Sequence, residues 1–562
     1  MKHLASLILI FSLLMGAAWA QARQGPKFYP DDPLLHDNDR LDVARQPAEI
    51  ELSAFYDFFS HVFSELGSEV WGEAENVNTL DEVPDSSWFA NRHGLERMSL
   101  QELKRGPDQT GGPDPGVIWT IFRSKSEGLT PGFQIEDDKG HRYVIKFGPA
   151  LNPELSTAAE VIATKIFYAI GYHVPENYIV RMRPENLRIR PGTMLADRFG
   201  DTQQLTQGKL DRLLDDYPRL PDGTIRVLAS RYVEGRPLGP FRYYGTRSDD
   251  PNDVIDHEQR RELRGLRVFS AWTNHDDTRA HNTLSSYVEE GGKHYVRHYL
   301  IDFGSTFGSA SVSLQSPANG YHWLLDPVLI KTNLKSFGLH VPTYRKVEWP
   351  EFPEYSAVGR YEAEVFDCQA WRNEYPNPAF VRLTERDAFW AGKVLMRFTR
   401  EELQAIVETG QFSRGYEEEY FLKSLIGRQQ KCGRWALNVV NPLDGFRMEA
   451  GKLRFTNLSQ YYGFSQAKGY RAQWFTYDNA DGSRREVGEP ISTQEPALDV
   501  PRPDFSGTQD AYLAVEISTE TPEHPHHRLP VTVYLRPSGS ALQVVGIERE
   551  TADLIPPMDG NK

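Results

Sequence analysis

From residue 117 the chain alternates. In "VIWTIFRSKSEGLTPGFQIEDDKGHRYVIKF" short runs rich in β-branched and aromatic residues are broken by a glycine-containing stretch and again at 137–140, which predicts three strands, a loop and a tight turn. Side chains alternate across a strand, so Tyr143, Ile145 and Phe147 share one face and Val144 and Lys146 the other. The period then lengthens. In "NPELSTAAEVIATKIFYAIGYHVPE" the apolar residues Val161, Ile162, Ile166, Phe167 and Ile170 recur at helical spacing, with Glu160 beside the stripe. Asn152 is the expected cap, Pro153 falls in the first turn and Gly171 ends the helix.

Strands are predicted near "NYIVRMR" and "TIRVLASRYVEG", with room for a short helix between them. "DHEQRRELRGLRVFSAW" predicts a helix opened by Asp256 and Gln259 as a variant capping box, and "LSSYVEEGGKHYVRHYLIDFG" a hairpin turning at 290–293. Residues 312 to about 435 pattern as mainly helical and loop-rich. From about 450 the alternation returns in "YRAQWFTYD", "AYLAVEIS" and "PVTVYLRP", interrupted by the proline-rich join "EPISTQEPALDVPRP".

Residues 1–20 change the picture at the start. A basic opening at Lys2 and His3, the apolar "LASLILIFSLLMGAA" and Ala18-Trp19-Ala20 read as a signal peptide, so the expected product is exported, periplasmic or secreted, and soluble. No cysteine follows the cleavage site to carry a lipid, and no later stretch approaches the roughly 18 apolar residues that span a bilayer. The 562-residue length predicts two to four domains. Residues 21–115 form an N-terminal extension without readable function, ending in the linker "RGPDQTGGPDPG". The formal net charge of -15 argues against nucleic acid, whose binding needs clustered lysine and arginine. Cys368 and Cys432 are the two cysteines; their spacing leaves a disulfide and free thiols equally open.

The chemistry-bearing stretch is "NHDDTRAHNTL" at 274–284, followed by "LIDFGSTFG" from Leu300. As a solvated loop it needs no further account. As a metal-dependent hydrolase site it offers His275, Asp276, Asp277 and His281 as ligands, although a helix and a hairpin flank them where such sites draw on several helices. A third reading uses more residues. Phosphoryl transfer needs a cation at the phosphates, a carboxylate and a second ligand for a divalent metal, and a base for the acceptor hydroxyl. Asp277 precedes Asn282 by five positions, the hairpin leads on to Asp302, and upstream Lys146 lies on a strand with Glu160 on the next helix. Each has a plainer role alone: Lys146 reaching solvent, Glu160 on a helix surface, Asp302 opening a turn.

The order "VIK", helix glutamate, D-x-x-x-x-N and "DFG" resembles the protein-kinase-like fold over roughly residues 117–435. Where protein kinases open the loop with His-Arg-Asp, this chain has Asn274-His275-Asp276-Asp277. Histidine directly before the asparagine, with "AIGYHVPE" closing the first helix, is more similar to HipA-type and phosphoinositide-kinase-like enzymes, and exported CotH-type kinases are similar in compartment. The resemblance implies an α+β, two-lobed fold with an N lobe at 116–235 and a C lobe at 236–435, leaving a β-rich domain at 436–562. It implies ATP with Mg²⁺ or Mn²⁺, Lys146 at the α and β phosphates, Glu160 paired with it, Asp277 as catalytic carboxylate and Asn282 and Asp302 on the metal. Asp276 rivals Asp277, since one inserted residue reverses the choice.

The phosphate-covering stretch "SKSEGLTPG" lacks G-x-G-x-x-G, but Gly128 and Gly132 permit close backbone approach and Ser126 and Thr130 offer hydroxyls. An ordinary strand connection accounts for it equally well, as a surface position does for Lys125. The expected activity is phosphoryl transfer to an unknown protein or small-molecule acceptor. The alternatives are a kinase-fold scaffold without turnover and the His/Asp hydrolase.

Overall fold

The computed structural model describes residues 26–68, 71–124, 132–196, 202–349, 356–503, 505, 509–539, 541–556 and 558. The expected signal peptide and the candidate phosphate-loop residues Lys125, Ser126, Gly128 and Thr130 lie outside them. The chain is α+β with several sheets. It divides into two compact units, one comprising the chain up to Leu35, Val77–Glu82 and Val440–Ala552, the other His36–Asn76, Val83–Val439 and Asp553 onward. The predicted extension is therefore shared between both units.

The larger unit is built around a six-stranded sheet. Its strands are β1 Trp119–Ser124, β2 Gly132–Glu136, β3 Arg142–Phe147, β4 Asn177–Met182, β5 Leu187–Ile189 and, after the short pair β6 Met194–Ala196 and β7 Thr202–Gln204, β8 Ile225–Arg231. The order is β4-β8-β3-β2-β1-β5, antiparallel except for the β1–β5 pair. One face buries Tyr143, Ile145 and Phe147 with Leu210 and Leu214 of the Gln207–Asp215 helix, and Phe147 stacks on Tyr217. The other face carries Lys146 and meets the Leu155–Ile170 helix, whose Thr164 hydroxyl accepts from the Asn177 amide at 2.7 Å. The alternation predicted for β3 is thus observed.

The caps differ from expectation. The helix begins at Leu155 after Glu154, and the Asn152 amide instead donates to the Ser356 carbonyl, so a long-range contact takes the side chain that local geometry offered as a cap. The His257–Gln259 stretch is a 3₁₀ turn, and the buried helix that follows, Arg261–Thr273, takes no cap from its own N-cap residue, Asn76 Oδ1 accepting from Arg261 N–H at 2.8 Å instead. Two of its arginines are paired inside. Arg261 and Arg264 both reach Asp387, which also closes a capping box with Thr384 on the Glu385–Met396 helix. The other α-helices described in this unit are Ala54–Phe63, Leu100–Arg105, Pro327–Lys335, Pro378–Val381, Arg400–Val407 and Gly415–Ala436. Cys368 and Cys432 form a disulfide, resolving the choice the spacing left open.

In the same unit β10 Thr283–Glu290 and β11 Lys293–Leu300 form the expected hairpin, with β9 Arg236–Pro237 at its edge. Gly291 and Gly292 have φ of 59° and 75°, the left-handed pair a two-residue hairpin turn requires.

The smaller unit holds β12 Leu443–Glu449, β13 Lys452–Asn457 and β16 Ala497–Asp499 in one sheet. A second has the order β15-β14-β17-β18-β19, from β14 Gly469–Asp478, β15 Arg484–Thr493, β17 Ala511–Glu520, β18 Val531–Ser538 and β19 Ala541–Arg549. Part of the proline-rich join belongs to β15 and β16. Pro490 is accommodated because β15 is an edge strand with a register shift opposite Ala472–Trp474. No helix among the described residues is long and apolar enough to cross a membrane.

Candidate functional site

Register places the lysine. Lys146 sits opposite Gly132 on β2 and Leu228 on β8, and its side chain, 12% exposed, leaves the sheet towards the Leu155–Ile170 helix. There Nζ lies 3.2 Å from Glu160 Oε1 and 3.0 Å from Asp302 Oδ1. Burial opposes the ammonium charge, but the Asp302 and Glu160 carboxylates more than offset it and hold the amine above the ordinary lysine value. Burial pushes the Glu160 carboxyl up, against the pull of Lys146.

Asp302 follows β11 with φ of 59°, a left-handed conformation that aspartate tolerates better than most residues. The next amide, Phe303 N–H, donates to Glu160 Oε1 at 3.1 Å. A Cβ on Gly304 would stand 2.7 Å from Ser311 Oγ and 3.1 Å from Glu160 Oε2, so this glycine is needed for close approach. Phe303 is buried and stacks on Phe167 of the glutamate's helix, which fixes the turn against that helix. A narrow cavity at this point is bounded by Lys146, Thr157, Glu160, Asp302 and Ser311.

The 274–282 loop begins where Asn274, at φ 51°, ends its helix. Asn274 is held on both sides, its amide donating to Gln315 and its Oδ1 accepting from Trp371 Nε1 at 3.0 Å. His275 is buried. Desolvation lowers its pKa to about 4, so the neutral ring uses Nδ1–H to donate to the Ser305 carbonyl at 3.2 Å. Asp276 accepts from Gln315 Nε2 at 2.6 Å and from the Asn319 amide. Burial raises its pKa to about 7 in spite of those donors.

Asp277 pairs with Arg279, Oδ1 to Nε at 2.6 Å, an ionic contact whose angle falls outside hydrogen-bond geometry. Burial raises its pKa well above the usual range, the Arg279 charge opposing. Glu374 lies 3.4 Å from the same guanidinium. The Asn282 amide donates to the Asp277 carbonyl at 2.7 Å, closing the loop on itself. Hairpin pairing then joins this loop to the next: Thr283 is opposite Leu300, and Ile301 N–H donates to the Asn282 carbonyl at 3.0 Å, one residue before Asp302.

Lys146, Glu160 and Asp302 are therefore in direct contact, and Asn282 is linked to both Asp277 and the start of the Asp302 turn. Gly132 is a strand residue, where a Cβ would stand 2.1 Å from the Ile145 carbonyl oxygen; sheet packing accounts for it. The hydrolase ligands do not converge. His281 Nε2 meets the Leu52 carbonyl at 3.0 Å, His275 the Ser305 carbonyl, Asp276 two amides and Asp277 an arginine, and these four form no metal-ligating cluster. Arg279, Glu374, Gln315, Asn319 and Ser311 escaped sequence reading. Arg279 lies inside the motif and its charge beside Asp277 was a usable signal; the others come from loops without periodicity.

No protein-family model matches the chain, and no curated protein does. Among solved structures, the chain is similar at 12% identity to a Helicobacter pylori proinflammatory kinase, CtkA, with a TM-score of 0.30 over 57% of this chain and 98% of that one.

Proposed function

We propose that residues 116–435 form an atypical, two-lobed kinase-like core that uses ATP and Mg²⁺ or Mn²⁺ to phosphorylate an acceptor hydroxyl. The observation that carries this reading is the Lys146 ammonium held between Glu160 at 3.2 Å and Asp302 at 3.0 Å. A buried strand lysine tied to a helix glutamate is orientated rather than free, which suits a group that must meet phosphate at a fixed place. The carboxylate of Asp302 and the amide oxygen of Asn282 are hard donors of the kind Mg²⁺ and Mn²⁺ take, and the cation would neutralise phosphate charge there.

On nucleotide binding Lys146 exchanges the Asp302 carboxylate for phosphate oxygens, while Glu160 keeps its hold. Asp277 receives the acceptor hydroxyl proton as the hydroxyl oxygen bonds to the γ-phosphorus; the bond from that phosphorus to the bridging oxygen breaks, and ADP leaves. Arg279 lowers the cost of charge on Asp277. The apolar leader at 1–20 and the Cys368–Cys432 disulfide support export.

A nucleotide-independent scaffold is the second reading, favoured by the narrowness of the cavity beside Lys146. Thermal unfolding with and without ATP and Mg²⁺ or Mn²⁺ separates the two. Ligand at about a hundredfold over its Kd adds about 2.7 kcal/mol. A metal-dependent rise, abolished in Asp302→Ala, is expected; no shift with either metal leaves the scaffold.

A further inference from the structure

The smaller unit carries a cluster of imidazoles that the proposed phosphoryl transfer does not use. His524, His526 and His527 sit on the connection between β17 and β18, and one ring nitrogen from each lies within 4.8 Å of the other two. We infer that this connection is a transition-metal site, in which three histidines hold one Zn²⁺-class ion and leave a fourth position to water.

The backbone prepares the turn. His524 N–H donates to the Thr521 carbonyl at 3.1 Å, His527 N–H to the His524 carbonyl at 3.0 Å and Leu529 N–H to the His526 carbonyl at 3.0 Å, so the three residues lie on consecutive turns. Pro522, Pro525 and Pro530 restrict the connection further. The strands on either side are paired up to Ile517 and Val531.

His527 is fully buried and its Nδ1 lies 3.1 Å from Thr521 Oγ1. An Nδ1–H donating to that hydroxyl selects the tautomer with Nε2 as the ligating nitrogen, the outer contact that metal-binding histidines commonly have. His524 stacks on His527 with ring centroids 4.9 Å apart. Ligands at 2.0–2.1 Å in a tetrahedron are roughly 3.3 Å from one another, so no pair need close by more than about 1.5 Å. His524 and His526 are half-buried, and any closure would come from these two rings rather than from the fully buried His527. Imidazole nitrogen is a ligand for zinc, copper and nickel and a poor one for magnesium or calcium, which sets the class of ion.

Equilibrium dialysis of the chelator-stripped full chain against Zn²⁺ alone, without nucleotide, tests the site. One ion per chain is expected, and Co²⁺ in its place should show the intense visible absorption of a four-coordinate nitrogen site. His524→Ala and His526→Ala, both at half-buried positions, should each weaken binding by at least about tenfold with the far-ultraviolet spectrum and unfolding transition retained, and Thr521→Val by about tenfold through loss of ring orientation. Asp302→Ala should leave this ion in place, which separates the site from the nucleotide cleft. Absence of stoichiometric binding, or binding that survives both histidine variants, overturns the assignment.

Discussion

Asp276 has both carboxylate oxygens against side-chain amides and is 3% exposed, whereas the Asp277 side chain is 16% exposed and faces Arg279. The more accessible carboxylate is the better candidate for receiving a proton. Asp277→Ala is expected to keep the unfolding temperature within a few degrees and lower turnover by about 10²- to 10⁴-fold. Asp276 acts on stability. Its folded pKa of about 7 lies above the unfolded value near 3.9, so between those values the unfolded chain has released a proton that the folded chain retains. Its contribution is therefore fully present below about pH 4, falls as pH rises and levels off above about pH 7, with a slope of up to about 1.4 kcal/mol per unit. Urea unfolding across this range should show a flatter pH profile for Asp276→Asn than for the unaltered chain. Equal slopes in both would remove Asp276 as the titrating group.

At the scale of elements, strict periodicity was legible and competition for side chains was not. Alternation alone put Lys146 on the face opposite Tyr143, and helical spacing put Glu160 on the following helix; the two meet because that helix crosses the lysine's face. The hairpin was legible from Gly291 and Gly292. Asn152 was misread because its amide finds Ser356 about two hundred residues away, a contact no local pattern contains. Glu374 reaches Arg279 in the same way.

Gly304 shows what joins the elements. A methyl group there meets Ser311 Oγ and the Glu160 carboxylate, so Gly304→Ala should cost about 1–3 kcal/mol and loosen Glu160 from Phe303 N–H. Adding Ser311→Ala removes the nearer obstruction and should recover part of that loss. A double-mutant cycle by chemical denaturation reads it; strict additivity would show that the two positions do not meet.

Across the larger unit, the disulfide reaches the candidate site through the chain around it. Cys432 belongs to the Gly415–Ala436 helix, and Cys368 begins a run in which Trp371 donates to Asn274, Glu374 N–H donates to the Asp276 carbonyl at 2.9 Å and the Glu374 carboxylate meets Arg279. The bridge thereby anchors the segment that backs the 274–279 loop. Its sequence separation of 64 residues corresponds to about 4 kcal/mol of loop-closure entropy removed from the unfolded chain. Both cysteines are buried, so reductant should act slowly on the folded protein and quickly once it is unfolded. The Cys368→Ala and Cys432→Ala double variant should lose about 2–4 kcal/mol in denaturant unfolding. Because the segment backs the loop, the proposed Asp277-dependent turnover should fall in this variant before global unfolding begins. Alkylation in denaturant without reductant, read by mass spectrometry, should find no free thiol in chain recovered from an exported fraction. Two alkylated cysteines there would contradict the pairing and, with it, the support the bridge lends to export.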